Sequence, residues 1–202
     1  YLADRGHLLI TDSEISEYSD LTDPATGKRI FGGLNVFEAT LDAAELHYAW
    51  LVTPPDPAPG EPVGIAWHPA DGHVYITDDD EKRIFRYAAD GVNALGEALA
   101  SVYTSFNGRY TDPEGIAVEP VTGDLLVVSG TKDERVLRFS YNAVSDTFEF
   151  ISEFPVADHI SDPEGIALHP ESGNIFTITA DGIAEFTAAG EFVQVFDYGF
   201  LE

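Results

Sequence analysis

The 202-residue sequence predicts an all-β fold built from one four-stranded unit used about four times. Three observations carry this reading. The hexapeptide Asp-Pro-Glu-Gly-Ile-Ala occurs at Asp112 to Ala117 and again, letter for letter, at Asp162 to Ala167, with a degenerate copy at Glu61 to Ala66. Its glycines are evenly spaced: 51 residues separate Gly64 from Gly115 and 50 separate Gly115 from Gly165, the mark of a repeated supersecondary unit. Around each copy lie short apolar runs bounded by Pro and Gly, and 13 Phe and 9 Tyr raise the strand propensity. Four short antiparallel strands per repeat of about 40 to 50 residues is the pattern of a β-propeller blade.

The blades are residues 1–60, 61–110, 111–160 and 161–202. An innermost strand is predicted at Gly64 to Pro69, Gly115 to Pro120 and Gly165 to Pro170, where small residues suit the crowding around an axis. A Pro-x-x-Gly turn closes it (Pro69 to Gly72, Pro120 to Gly123, Pro170 to Gly173), because proline presets φ early in the turn and glycine accepts the positive φ that ends it. The second strand follows at His7 to Asp12, His73 to Asp78, Asp124 to Ser129 and Asn174 to Thr179. Third strands, Val36 to Thr40, Ile84 to Tyr87, Val136 to Phe139 and Ile183 to Phe186, alternate apolar residues with Glu or Arg, the period of a strand with one exposed face. Fourth strands are placed at Glu45 to Leu51, Ala98 to Tyr103, Thr147 to Phe154 and Glu191 to Tyr198. No helix is assigned, although Leu41 to Leu46 has the composition of one helical turn.

The first blade is expected to be incomplete, with no inner strand ahead of His7 and an insertion from Ser13 to Leu34 rich in Ser, Asp and Gly. Open blade edges are pairing hazards. A protein partner, or the remainder of a larger chain, is therefore expected to cover them.

Thirty-six acidic against ten basic residues leave a net charge of -26, which repels a phosphate backbone and argues against a nucleic-acid partner. Only three cations are lysines, Lys28, Lys82 and Lys132. That balance suits high salt or a calcium-rich medium, or simply an acidic surface, and the expected setting is extracytoplasmic, periplasmic or secreted. The absence of cysteine excludes disulfides and Cys-ligated zinc. No apolar run approaches the roughly 20 residues that span a bilayer.

Inner strands reading Asp-Pro-Glu-Gly-Ile-Ala-x-x-Pro-x-x-Gly, followed by an apolar strand ending in Thr-Asp, resemble the propellers of the NHL, strictosidine-synthase-like and gluconolactonase/senescence-marker superfamily, the six-bladed type. Leu8 to Glu14 resembles the opening blade of bacterial secreted members. The resemblance covers nearly the whole chain and implies the fold. It does not choose among lactonases, other hydrolases and binding platforms. In the lactonase branch it implies a divalent cation on the axis, and Glu114 and Glu164 match the placement of its ligands, while Val63 stands at the matching place in the second blade.

Oxygen ligands converging from several blades suit a hard cation such as calcium, which takes about 6 to 8 of them. The competing reading has Asp112 and Asp162 capping the loops while each Glu faces solvent. A second acidic group ends the second strands, with Asp12, Ser13 and Glu14 in the first blade and Asp78, Asp79 and Asp80 in the second. It reads either as a solvated loop neutralised by Lys82 and Arg83 or as calcium ligands, with Asp12 and Asp78 the candidates. His68 and His169 share a repeat position, as do His7 and His73, which favours structural roles; Trp50 and Trp67 read as packing residues. No nucleophile elbow or phosphate-binding glycine loop occurs, and no organic cofactor is expected. Two functions follow. The first is a non-enzymatic binding module, with calcium as its candidate stabilising ion. The alternative is a calcium-dependent lactonase or esterase, with Glu114 and Glu164 as ligands and Asp78 as base.

Overall fold

A computed structural model describes residues 6–12, 35–40, 46–51, 61–79, 82–88, 103–105, 112–130 and 134–198. Its strands form four antiparallel sheets in chain order. The first joins β1 (His7–Asp12), β2 (Asn35–Thr40) and β3 (Leu46–Leu51). The second joins β4 (Pro62–Trp67), β5 (His73–Asp78), β6 (Arg83–Ala88) and β7 (Tyr103–Ser105). The third joins β8 (Pro113–Val118), β9 (Leu125–Ser129), β10 (Arg135–Asn142) and β11 (Thr147–Pro155). The fourth joins β12 (Gly165–Leu168), β13 (Ile175–Ile178), β14 (Gly182–Phe186) and β15 (Phe192–Asp197). Each is a meander of hydrogen-bonded neighbours, and β4, β8 and β12 lie side by side. The expected all-β propeller architecture is present, and among the described residues the first sheet has three strands. The insertion from Ser13 to Leu34 and the candidate helical turn that starts at Leu41 lie outside the described residues, as do residues 98–102 of the expected fourth strand in blade two.

The turn chemistry acts as the sequence implies. Gly72, Gly123 and Gly173 have φ of 71°, 76° and 71°, and each donates its N–H to the carbonyl four residues earlier, on His68, Glu119 and His169. The repeat position before Pro then serves this turn in two blades: His169 Nδ1 accepts the Glu171 and Ser172 amides at 3.3 and 3.2 Å, and Glu119 Oε2 accepts Thr122 N–H at 2.5 Å. His68 instead faces the next blade, with Nε2 3.0 Å from the Gly123 carbonyl.

The second strands β5 and β9 are sandwiched between neighbouring blades, so both of their faces are buried and largely apolar. Alternate residues of β5 divide cleanly. Val74 and Ile76 pack with Val36, Phe85 and Tyr87 between blades one and two, and Trp67 joins them. Tyr75 packs with Ile116, Leu125, Val127 and Phe148 between blades two and three. Leu126 and Val128 then meet Ile175, Ala184 and Phe186 between blades three and four. The four consecutive residues Leu125 to Val128 are all 0% exposed, and burial at that level stabilises by roughly 1.5–3 kcal/mol per side chain.

Candidate functional site

The inner strands leave their ladders where the repeated hexapeptide begins. Register shifts fall between Pro62 and Ile65 in blade two and between Pro113 and Ile116 in blade three, so Gly64 and Gly115 have no ladder partner for their N–H groups. A bulge of this kind re-aims side chains and frees main-chain donors. The Gly64 N–H goes to Thr77 Oγ1 at 2.9 Å, and the Thr77 hydroxyl donates onward to the Glu114 carbonyl at 2.5 Å. The Gly115 N–H bridges directly to the Glu164 carbonyl at 3.0 Å. Thr11 makes the same reach one blade earlier, donating to the Val63 carbonyl at 2.6 Å. Adjacent inner strands are thus stitched through the main chain of the residue before each glycine, which places Glu114, in β8, and Glu164, just ahead of β12, at the same end of the sheets.

Five carboxylates converge there. Burial pushes the Glu114 carboxyl up to about 8, reinforced by the charges of Glu164, Asp112, Asp79 and Asp162 in that order. Glu164 is raised as well, by burial first and then by Asp162 and Asp112. Asp79 is raised by burial and by its contact with Asp112, although Lys82 Nζ stands 2.6 Å away and opposes the shift. Asp112 accepts the Gly130 N–H through its main-chain oxygen at 2.8 Å. Asp162 holds a φ of 51° immediately before Pro163, a left-handed conformation that is costly for a residue with a Cβ and unusual ahead of proline. Like charges brought this close disfavour full ionisation, and a proton or a bound cation would relieve them.

Of the four sequence candidates for metal binding, Glu114 and Glu164 face one another across the inner strands. Asp78 lies apart from them. It is 0% exposed, accepts the Glu61 N–H at 3.0 Å, and sits on the blade-one face of β5 with Val74 and Ile76. Burial, and then the Asp78 charge, raise the neighbouring Tyr87 hydroxyl above its ordinary range. Strand parity explains the difference: Tyr75 and Thr77 face blade three, so the acid that joins Glu114 is Asp79, the next residue in that series. Asp12 ends β1 opposite Asn35, and its side chain lies outside the described residues. Asp79, Asp112 and Asp162 are the members that the sequence did not single out as ligands. Among the described residues, no three Asp, Glu or His side chains are disposed to hold a metal ion.

No family model and no curated protein matches this sequence. Solved structures do match. A chain of the nidogen/laminin complex superposes with a TM-score of 0.56 at 16% identity, covering 92% of this chain and 58% of that one. The shared fold is the β-propeller. A putative gluconolactonase matches with a TM-score of 0.56 at 19% identity, over 81% of this chain and 57% of that one. A putative 6-phosphogluconolactonase from Bacteroides uniformis gives 0.57 at 14% identity, over 89% and 52%. At these identities the likeness is one of fold, and the chain spans little more than half the length of each of these three structures.

Proposed function

We propose that this chain is a β-propeller interaction module whose two end blades are covered by further blade-like sheets. One observation carries the reading: positions fully buried in the interior blades are exposed at both ends. Val74 and Ile76, Leu125 and Val127, and Ile175 and Thr177 are all 0% exposed, whereas their counterparts in blade one, Leu8 and Ile10, are 38% and 42% exposed. On the opposite face of the second strand, Thr77 and Val128 are 0% exposed, while their blade-four counterpart Ile178 is 41% exposed, beside a Phe196 exposed to the same degree. Register puts Ile178, Ile183 and Phe196 on one face of that sheet. The two faces are built like blade interfaces, and a propeller blade is the partner whose chemistry fits them. An extracytoplasmic setting belongs to the same proposal, supported by the excess of carboxylates over cations.

Sedimentation of the 202-residue chain tests this. Concentration-dependent association, abolished by Leu8→Lys together with Ile178→Lys while the circular dichroism stays native, is the expected result. A monomer at all concentrations that binds no hydrophobic dye overturns it.

A second reading is favoured by the Glu114 carboxyl, which burial and the neighbouring carboxylates push up to about 8. A group poised there can hold and release a proton near neutrality, the property of a general acid or base, and it supports hydrolysis of a lactone or ester at the axial mouth. Asp78 is not positioned to share in that chemistry. Turnover of a lactone panel that is lost in Glu114→Gln would favour this reading; equal rates in the variant and the parent exclude Glu114 from it.

A further inference from the structure

A cleft of about 430 Å³ opens between blades two and three, lined by His68, Asp71, His73, Arg86, Tyr141 and Phe148 among others. It lies at the end of β5 that begins with His73, the opposite end from Asp79 and the axial carboxylates, and roughly 20 Å from them along a six-residue strand. One wall of the cleft already holds a carboxylate. Arg86 crosses the blade boundary and donates two bonds to Asp146, at 3.1 and 3.2 Å, and the Tyr141 hydroxyl donates to the same Asp146 carboxylate at 2.5 Å. This is the forked recognition that Arg gives to planar acids. The acid itself belongs to the β10–β11 hairpin tip: Asp146 has a φ of 54°, and its side chain is 56% exposed against 12% for Arg86.

The other wall sets two histidines around a carboxylate. Asp71 Oδ1 stands 3.4 Å from His68 Nδ1 and 3.4 Å from His73 Nδ1, and neither nitrogen makes a hydrogen bond although both are buried. His68 Nε2 faces a carbonyl oxygen, so Nε2 must carry the proton, and a neutral His68 then presents a lone pair at Nδ1. The Asp71 carboxylate takes the Tyr75 hydroxyl at 2.7 Å and the His73 amide at 2.9 Å. His73 can carry its proton on Nδ1 and turn it toward Asp71, which leaves the buried His68 Nδ1 lone pair as the acceptor without a donor.

We infer that this cleft binds a small zwitterion, a carboxylate and an ammonium a few ångströms apart as in a free α-amino acid. The ligand carboxylate takes the place of Asp146 on Arg86 and Tyr141. The ammonium pairs with the Asp71 carboxylate, whose side chain is 33% exposed, and supplies a donor to His68 Nδ1, while Phe148 and the buried Tyr75 beneath give the cleft an aromatic floor. The volume is within the usual range of small-molecule sites, about 300–1,000 Å³. Asp146 is then an internal competitor, a carboxylate that must swing out with the exposed hairpin before the ligand can enter.

Calorimetric titration of the 202-residue chain with a panel of free α-amino acids, alongside the matching amines without carboxylates and acids without amines, tests the inference. At least one zwitterion is expected to bind, with either half-probe tenfold weaker or worse. Asp146→Asn is expected to tighten binding several-fold, because the competitor loses its charge, whereas Arg86→Gln abolishes binding and Tyr141→Phe weakens it several-fold. Circular dichroism verifies that each variant is folded. Absence of binding by every zwitterion at millimolar concentration overturns the inference. So does an Asp146→Asn protein, folded, that binds no more tightly than the parent.

Discussion

The Thr77 hydroxyl joins two blades: it accepts the Gly64 N–H of its own sheet at 2.9 Å and donates to the Glu114 carbonyl of the next at 2.5 Å. Thr77 is 0% exposed, so water cannot replace either bond. The equivalent residue in blade three is Val128, which needs no hydroxyl because the Gly115 N–H reaches the Glu164 carbonyl directly.

Thr77→Val keeps the shape and removes the bridge, leaving a buried donor and a buried acceptor unpaired. The expected loss is about 2–3 kcal/mol, measured by urea denaturation. Val128→Thr, the reciprocal change, gains no such bridge and is expected to destabilise slightly.

Gly115→Ala probes the crowding of the inner strands. A Cβ there would lie 2.8 Å from both Gly165 Cα and Ile166 N, which are main-chain atoms that cannot rotate away. Forced separation of blades three and four is expected to cost about 3 kcal/mol or more. Gly72→Ala has nothing within 4 Å of its added Cβ and is expected to cost about 1 kcal/mol, through the strain of a φ of 71°.

Acidity should stabilise this protein through Glu114. Its folded pKa of about 8 lies above its ordinary value of 4.5. The resulting stability is fully present below about pH 4.5 and is lost as pH rises through about 8. Glu114→Gln is therefore expected to be near neutral at pH 5 and to raise stability by about 1–2 kcal/mol at pH 9, a figure kept low because solvent screens part of the repulsion. Thermal melts of the two proteins across this range measure the difference.

Calcium enters the proposal as the alternative counter-charge for the same carboxylates. Because no three described side chains are disposed to hold a metal, binding would have to draw them together and is expected to be weak. Millimolar calcium should raise the melting temperature by a few degrees at pH 9, about 1 kcal/mol, less at pH 5, and not at all in Glu114→Gln/Glu164→Gln. An unchanged melting temperature at both pH values removes calcium from this function.

The sequence by itself determined the repeat, the strand order within each blade and the turns, because these are local: Pro-x-x-Gly sets φ over four residues, and an alternating or continuous apolar run sets a strand. It also pointed to Glu114 and Glu164, the hexapeptide residues for which turn geometry offers no explanation. Only the tertiary structure decided which acids join them. Within the run Asp78 to Asp80 all three residues look alike on the page, yet a strand sends successive side chains to opposite faces, so Asp78 is buried toward Tyr87 and Asp79 reaches Glu114. The cleft of Arg86, Asp146 and His68 was equally invisible, since Arg86 and Asp146 stand 60 residues apart and meet only because consecutive blades pack face to face. Local chain chemistry repeats with the sequence; contacts between blades depend on packing geometry, which no spacing along the chain records.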